Sequence, residues 1–238
     1  MIERLKNPET APTVCYLAHC LLNANAKVDE GARCAGVYSP VVELLRRKGC
    51  TIRQMPCPEL AFAGLRRFWA VREQYDTPAF REHCKRLAGP VAAQIRADLN
   101  RSARVVIVGI DGSPTMGVEL TASSDEWGGR PDKPRDEDYP VVRGTGIFTQ
   151  TLLELLAEDL PNLRIVGLGQ DLLDYDEDAA DPKLPIKVLL ASVGARRSVR
   201  EGSGVGRNRL TSSSSRSRSV RGLRRVRSRS SVSESTGL

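Results

Sequence analysis

Residues 104–120, with the sequence RVVIVGIDGSPTMGVEL, decide the fold of this chain. The run from Val105 to Ile110 is apolar and rich in β-branched residues, which predicts a strand buried on both faces. The segment from Asp111 to Gly117 contains glycine, serine and proline, and it therefore predicts a sharp turn. In open parallel α/β sheets, ligands bind at the carboxyl ends of the strands. We therefore expect this turn to border a binding site.

Strands and helices alternate on both sides of this strand. Strands are predicted at 14–22, 51–55 and 163–169, and helices at 39–48, 77–99 and 147–159. Residues 59–76 predict a short helix with a connector, and residues 121–143 predict a lid or surface loop. The alternation predicts an α/β fold with an open, mostly parallel, Rossmann-like sheet and helices on both faces.

Composition divides the chain into a body and a tail. Hydrophobic residues make up 40% and charged residues 27% of the chain, as in ordinary globular proteins. The formal charge is +7, but residues 192–238 carry 12 Arg and 2 Glu, a net +10, which leaves −3 for residues 1–191. We predict a flexible lead-in at 1–12, one α/β domain at 13–190, and a disordered Arg/Ser-rich tail at 191–238.

The same composition limits the partners and the compartment. Binding of nucleic acid is expected only through the basic tail, and the alternative is a solvated tail without a function. No stretch approaches the roughly 18 to 20 apolar residues of a membrane span, and the polar N-terminus has no apolar run of signal-peptide length. We therefore predict a cytoplasmic protein with reduced thiols and no membrane partner.

Two cysteines stand where predicted strands leave the sheet. Cys20 ends the first strand, and Cys57 follows the second strand between two prolines that stiffen the backbone. This placement favours a ligand or nucleophile over core filling, which remains the alternative. Glu59 lies two residues beyond Cys57 and is a candidate for proton transfer, with a surface carboxylate as the alternative.

Polar groups in the turn after the central strand complete the candidate site. Asp111 is a second candidate for proton transfer, and Ser113 is a candidate for positioning a substrate, with a tight turn as the alternative. His19 precedes Cys20, and strand geometry predicts that these two side chains point to opposite faces. The chain contains no CxxC pair, Walker loop, GxGxxG or HExxH, which excludes zinc-ribbon, P-loop and zincin sites.

Five segments, in order, carry a resemblance to a known family. They read HCLLNANAKVDEG, MPCPE, GLRRFWAVREQYDTPAFREHC, VVIVGIDGSPTMGV and GTGIF. Together they resemble the bacterial thiouracil desulfurase family, and most closely its branch of related desulfidases. The resemblance spans roughly residues 13–170 and leaves out the basic tail.

The resemblance implies a 4Fe–4S cluster held by three cysteines, with one open iron that binds the sulfur of a thiolated substrate. Two of these cysteines match Cys20 and Cys57, whereas the third falls on Met116. A thioether is neutral and a poor ligand for cluster iron. Three outcomes stay open: Cys34, or with less reason Cys84 in a helix, replaces the missing ligand; the cluster binds weakly or not at all; or the chain is an inactive variant.

Two functions follow as expectations. The first is iron–sulfur-dependent removal of sulfur from a small thiolated compound such as a thio-nucleobase. In it, Cys20 and Cys57 hold the cluster with Cys34 as a third metal ligand, Glu59 or Asp111 handles protons, and Ser113 positions the substrate. The alternative is a non-catalytic or cluster-deficient member that binds a small ligand in the same crevice.

Overall fold

The structure is a computed structural model that describes residues 11–28, 31–32, 34–125 and 141–169. Within these residues the strands are β1 (Thr13–Leu17), β2 (Thr51–Gln54), β3 (Arg104–Ile110), β4 (Leu120–Ala122), β5 (Val141–Arg143) and β6 (Leu163–Leu168). The helices are α1 (His19–Leu22), α2 (Ser39–Arg47), α3 (Pro58–Ala63), α4 (Arg72–Tyr75), α5 (Pro78–Asn100) and α6 (Ile147–Leu155), and short 3₁₀ turns lie at Ala24–Ala26 and Leu160–Asn162.

Four parallel strands form the main sheet in the order β2-β1-β3-β6. The two central strands, β1 and β3, are buried almost throughout, as their continuous apolar sequences require. From β1 the chain adds β2 on one side of the sheet. It then returns through α5 to β3 on the other side of β1, and continues through α6 to β6. Right-handed crossovers therefore place α2 on the opposite face from α5 and α6, which pack against each other. The predicted open parallel α/β sheet is confirmed.

Helix α5 shows how local sequence sets an element. The Thr77 side chain caps its start by accepting a hydrogen bond of 3.2 Å from the Phe80 amide. Pro78 occupies the first helical position, where no amide partner is needed. Val91 and Ile95 lie one turn apart on this helix, and both are buried in the hydrophobic core. Within the helix, Pro90 is accommodated without breaking the element.

The first predicted strand is too long. Strand β1 ends at Leu17, and residues His19–Leu22 form the short helix α1. The alternating-face argument for His19 and Cys20 is therefore wrong, since alternation holds only in an extended strand. The predicted excursion at 121–143 begins and ends as an antiparallel pair, in which β4 pairs with β5, while residues 126–140 lie outside the described part.

The predicted domain limits fall mostly beyond the described residues. Residues 1–10 of the lead-in and all of the basic tail at 191–238 are outside them, as are residues 170–190 of the predicted domain. These boundaries stay predictions. Within the part of the chain that the structure describes, no helix combines the length and the apolar character that crossing a bilayer requires.

Candidate functional site

A partly open cleft lies at the carboxyl ends of the central strands, where a parallel sheet places its ligands. It encloses about 100 Å³. The polar and sulfur-bearing side chains among its lining residues are those of His19, Cys20, Lys27, Cys57, Glu59, Arg67, Ser113, Thr115 and Met116. The remaining lining residues are mostly apolar, so the cleft combines an apolar wall with a few convergent polar groups.

The structure brings Cys20 and Cys57 into this one cleft. Cys20 lies on α1, directly after the sheet, and Cys57 is the residue that caps α3. The Cys57 sulfur accepts a hydrogen bond of 3.4 Å from the Leu60 amide, and Pro58 occupies the first turn of that helix. On α5, the His83 ring nitrogen lies 3.1 Å from the Pro58 carbonyl oxygen and helps to hold this turn.

Burial favours the protonated form of both cleft cysteines. Burial raises the pKa of Cys20 to about 11, and Lys27 offsets this only in part. Burial also raises the pKa of the Cys57 thiol. A thiol becomes a metal-binding thiolate only when a cation or another positive charge stabilises the anion.

Glu59 also lines the cleft, and both of its carboxylate oxygens are occupied. Thr115 donates its hydroxyl hydrogen to Oε1 at 2.7 Å, and the Nε of Arg67 donates to Oε2 at 3.1 Å. The Glu59 and Arg67 side chains are 13% and 6% exposed. The carboxylate is therefore fixed in direction, with its charge matched by a guanidinium in a poorly solvated place.

Arg67 joins three segments of the cleft wall. Besides Glu59, its guanidinium donates to the Ala26 carbonyl at 2.9 Å and to the Gly64 carbonyl at 3.1 Å. Gly64 ends α3 with a φ of 81°, a left-handed conformation that favours glycine. A planar fork of donors suits this arrangement, and the shorter ammonium of lysine would not reproduce it.

Ser113 and Asp111 belong to the same turn but face different surroundings. The Ser113 hydroxyl oxygen lines the cleft and accepts hydrogen bonds from the Thr115 and Met116 amides at 3.3 and 3.0 Å. Asp111 does not line the cleft. Its Oδ1 accepts from three successive amides, at residues 118, 119 and 120, so it shapes the segment that follows the turn. The catalytic roles given to both residues stay predictions.

Cys34 stands apart from the other candidate ligands. Its thiol points to the Val37 carbonyl oxygen at a distance of 3.9 Å, and it does not line the cleft. Cys84 is buried within α5, and it does not line the cleft either. All six cysteines are free.

These donors do not fit a cluster held by three cysteines. Across residues 11–28, 31–32, 34–125 and 141–169, no three His, Cys, Asp or Glu side chains group closely enough to hold a metal ion. The cleft offers two thiols, and Met116 supplies a neutral thioether at the third position. We therefore derive no reaction step through an iron–sulfur cluster.

Sequence reasoning missed two residues of the site, Arg67 and Thr115. Arg67 follows another arginine in a connector without periodicity, so no local pattern indicates which of the two turns inward. Thr115 is an ordinary turn residue until the fold brings Glu59 beside it. The nearest signal was their presence in two of the segments that carry the family resemblance.

An open parallel sheet with a thiol-lined cleft at its carboxyl edge places the chain in the α/β class of proteins. The model of the family described as "Putative 2-thiouracil desulfurase" matches residues 17–136. The chain belongs to this family, as the sequence resemblance predicts.

Two individual proteins are similar to the chain. An uncharacterized protein of Methanocaldococcus jannaschii, MJ0003, is 32% identical over 105 residues, which are 44% of this chain and 67% of that protein. The solved structure of TudS, a [4Fe-4S]-dependent thiouracil desulfidase, is 18% identical. The alignment covers 68% of this chain and 93% of the TudS chain, with a TM-score of 0.38.

Proposed function

We propose that the cleft binds a small thiolated ring compound, such as a thio-nucleobase, and removes its sulfur. The observation that carries this proposal is the convergence of Cys20, Cys57 and Glu59 on one small cleft at the carboxyl edge of the sheet. Family membership supports the same class of reaction. The iron–sulfur dependence that the resemblance implies stays a separate prediction, because the donor set does not fit it.

The size of the cleft favours one ring. Its volume of about 100 Å³ is of the same order as the roughly 150 Å³ cavity that takes up benzene in an engineered protein. Trp69, Ile110 and Pro114 line the cleft and supply apolar contact area for a flat ring. A larger substituent, such as a sugar, would extend through the open side.

The polar groups suit a ring that carries both an N–H and a thiocarbonyl. The Glu59 carboxylate is oriented by Thr115 and Arg67 and remains an acceptor for a ring N–H. The thiol groups of Cys20 and Cys57 offer weak S–H donors to the sulfur of the ligand. Sulfur and thiol are both soft and polarizable, so they are compatible neighbours in an apolar wall.

The net reaction is hydrolytic and needs no oxidant. Water adds its oxygen to the thiocarbonyl carbon, the carbon–sulfur bond breaks, and the products are the carbonyl compound and hydrogen sulfide. The two protons of water end on the departing sulfur. Glu59 is the group placed to accept a proton from water and to pass it on.

A second candidate function is binding of the same ligand without turnover. The observation that favours it is Met116, which leaves the cleft with two thiols rather than three. In that case the protein binds the thiolated ring but does not remove its sulfur.

Calorimetry and sulfide release distinguish these functions. The full chain is titrated anaerobically with 2-thiouracil, 4-thiouracil and uracil, and the released sulfide is measured in parallel. We expect the thiolated rings to bind at least about tenfold more tightly than uracil, or about 1.4 kcal/mol. Sulfide release supports desulfurisation, and tight binding without sulfide supports the second function. Equal binding of all three rings contradicts both.

Two variants link these results to the cleft. Glu59→Gln keeps the size of the side chain but removes the carboxylate, so it is expected to weaken binding and to stop proton transfer. Glu82→Gln on α5 serves as a matched control, because Glu82 does not line the cleft.

A further inference from the structure

We propose that residue 116 decides whether this fold holds a 4Fe–4S cluster. The chain with Met116 holds none, and the single change Met116→Cys completes a three-thiolate site. This inference concerns the ligands of the cleft, and it does not depend on which compound the cleft binds.

The backbone at position 116, where the third ligand would stand, is already fixed by hydrogen bonds. The Met116 carbonyl accepts a hydrogen bond of 2.9 Å from the Ile110 amide, and its own amide donates to the Ser113 hydroxyl oxygen at 3.0 Å. The Gly117 amide donates to the Ser113 carbonyl at 3.2 Å. Every one of these bonds is made by the backbone of residue 116 or by its neighbours, so a change of side chain leaves them in place.

Close packing fixes the same turn from two further directions. A Cβ atom added to Gly146 would lie 2.6 Å from the Thr115 carbonyl oxygen, and one added to Gly109 would collide with the Met116 carbonyl. The backbone of β3 and the start of α6 therefore touch the turn directly. Such a turn cannot shift to compensate for a poor ligand.

Residue 116 borders the same cleft as the other two sulfur-bearing residues. Met116 is 5% exposed and lines the cleft together with Cys20 and Cys57. A cysteine at this position keeps the same Cβ atom and places a thiol one bond beyond it. What the site lacks is therefore a thiolate, and not a backbone position.

Within the described residues, no third His, Cys, Asp or Glu side chain groups with Cys20 and Cys57 closely enough to hold a metal ion. His19 lines the cleft, but its ring hydrogen-bonds to the backbone of Met55, and the His83 ring nitrogen lies 3.1 Å from the Pro58 carbonyl oxygen. The six cysteines and both histidines lie in residues 15–84, and all of them are described. Cys34 points to Val37, and Cys84 is buried in α5. Cys15, in the middle of β1, interacts with Cys50, which directly precedes β2, and neither residue lines the cleft. The rest of the sequence contains neither thiol nor imidazole.

Charge explains why a thioether does not suffice. Cluster iron is held by thiolates, whose negative charges balance the iron. With Met116, the cleft offers only two cysteine side chains that can carry such a charge. Met116→Cys adds the third, at a corner that the backbone already provides.

Anaerobic reconstitution tests the inference directly. The full chain is incubated with ferric iron, sulfide and an excess of dithiothreitol, and it is then desalted. The dithiothreitol reduces part of the ferric iron to the ferrous ions that the cluster also contains. Met116→Cys is expected to retain about four iron and four sulfide per chain, with visible absorption. The parent chain is expected to retain at least about tenfold less, because even the loss of an outer-shell group costs 10–100-fold in metal affinity.

Matched variants complete the experiment. Met116→Ala should stay empty, Met116→Cys combined with Cys57→Ser should lose the cluster, and Met116→Cys combined with Cys34→Ser should keep it. Circular dichroism checks folding. If Met116→Cys is unfolded, Met116→His keeps a longer side chain and supplies an imidazole, which iron–sulfur sites also accept.

Three results overturn the inference: a stoichiometric cluster in the parent chain, a folded Met116→Cys without a cluster, or an unfolded Met116→Cys together with an empty Met116→His. None of these measurements uses a thiolated ring. A failure here is therefore separate from a failure of the proposed function, which ligand binding and sulfide release report.

Discussion

Thr115 donates a hydrogen bond of 2.7 Å to the carboxylate of Glu59, across 56 positions of the sequence. Thr115 is fully buried, and its backbone belongs to the turn that follows β3. Glu59 belongs to the first turn of α3, after Cys57. This single bond therefore links the two strand ends that form the cleft.

Removing the Thr115 hydroxyl should disturb the cleft more than removing its methyl group. In Thr115→Val, one oxygen of a poorly exposed carboxylate loses its donor, so we expect a loss of about 1–3 kcal/mol in the free energy of unfolding. Binding of thiolated rings should weaken as well. Thr115→Ser keeps the hydroxyl and is the matched control. Urea unfolding measures the change in stability, and calorimetry measures the change in ligand binding. Equal effects of Thr115→Val and Thr115→Ser would contradict the role given to the Thr115 hydroxyl.

Asp98 should make stability depend on pH. Burial raises the pKa of this carboxyl, but hydrogen bonds from Arg53 at 2.9 and 3.1 Å and from Tyr16 at 2.7 Å outweigh burial and hold the pKa below its ordinary value. The folded state therefore favours the ionised form. The resulting stability is present above the unfolded pKa of about 3.9 and is lost as pH falls through the lower folded pKa.

The variant Asp98→Asn tests this dependence. At neutral pH it should lose about 1–3 kcal/mol of unfolding free energy, because an NH2 group that cannot accept a hydrogen bond replaces one carboxylate oxygen and the negative charge facing Arg53 is removed. The difference in unfolding free energy between the variant and the parent chain should become smaller as pH falls below about 4. Asp159→Asn is the control, since Asp159 pairs with Arg96 at an exposed site, where such pairs contribute at most about 1 kcal/mol. A gap that is independent of pH would refute the explanation.

Two glycines should respond very differently to the same change. In Gly146→Ala the new Cβ atom would lie 2.6 Å from the Thr115 carbonyl oxygen and 2.8 Å from the Gly117 amide nitrogen, so we expect a loss of about 1–3 kcal/mol or more. In Gly89→Ala the Cβ atom meets nothing within 4 Å outside its chain neighbours. Because Pro90 disfavours the helical conformation of a preceding alanine, the usual gain of about 0.5–1 kcal/mol in helix propensity should be largely offset, and the change should be close to neutral. Thermal or urea unfolding measures both changes.

The basic tail carries a prediction of its own. We propose that it binds polyanions such as RNA through charge. Changing Arg216, Arg218, Arg221, Arg224 and Arg225 to Gln in the full chain should weaken binding of single-stranded RNA. The slope of log affinity against log salt should also fall, by about 0.7 for each phosphate that the tail no longer neutralises. The corresponding lysine variant keeps the charge and should bind almost as the parent chain does. Unchanged binding by the glutamine variant would rule out the tail as the binding segment.

The fold was largely predictable because its signals are local. The apolar run of β3 is long enough to require burial on both faces, and the observed strand, Arg104–Ile110, matches it. Threonine and proline at 77 and 78 mark the start of α5 in the sequence itself. The error at β1 has a local cause too, since the apolar residues of a short buried helix resemble the continuation of a buried strand.

By itself, the sequence determined the parallel α/β architecture, the family, and that Cys20, Cys57 and Glu59 come shortly after the first two strands. It also determined that position 116 carries a thioether. Only the tertiary structure decided that Cys34 lies away from these cysteines, that Asp111 binds backbone amides, and that Thr115 and Arg67 hold Glu59. Secondary structure follows from neighbouring residues, whereas the orientation of a side chain in a site depends on packing between segments that are distant in sequence.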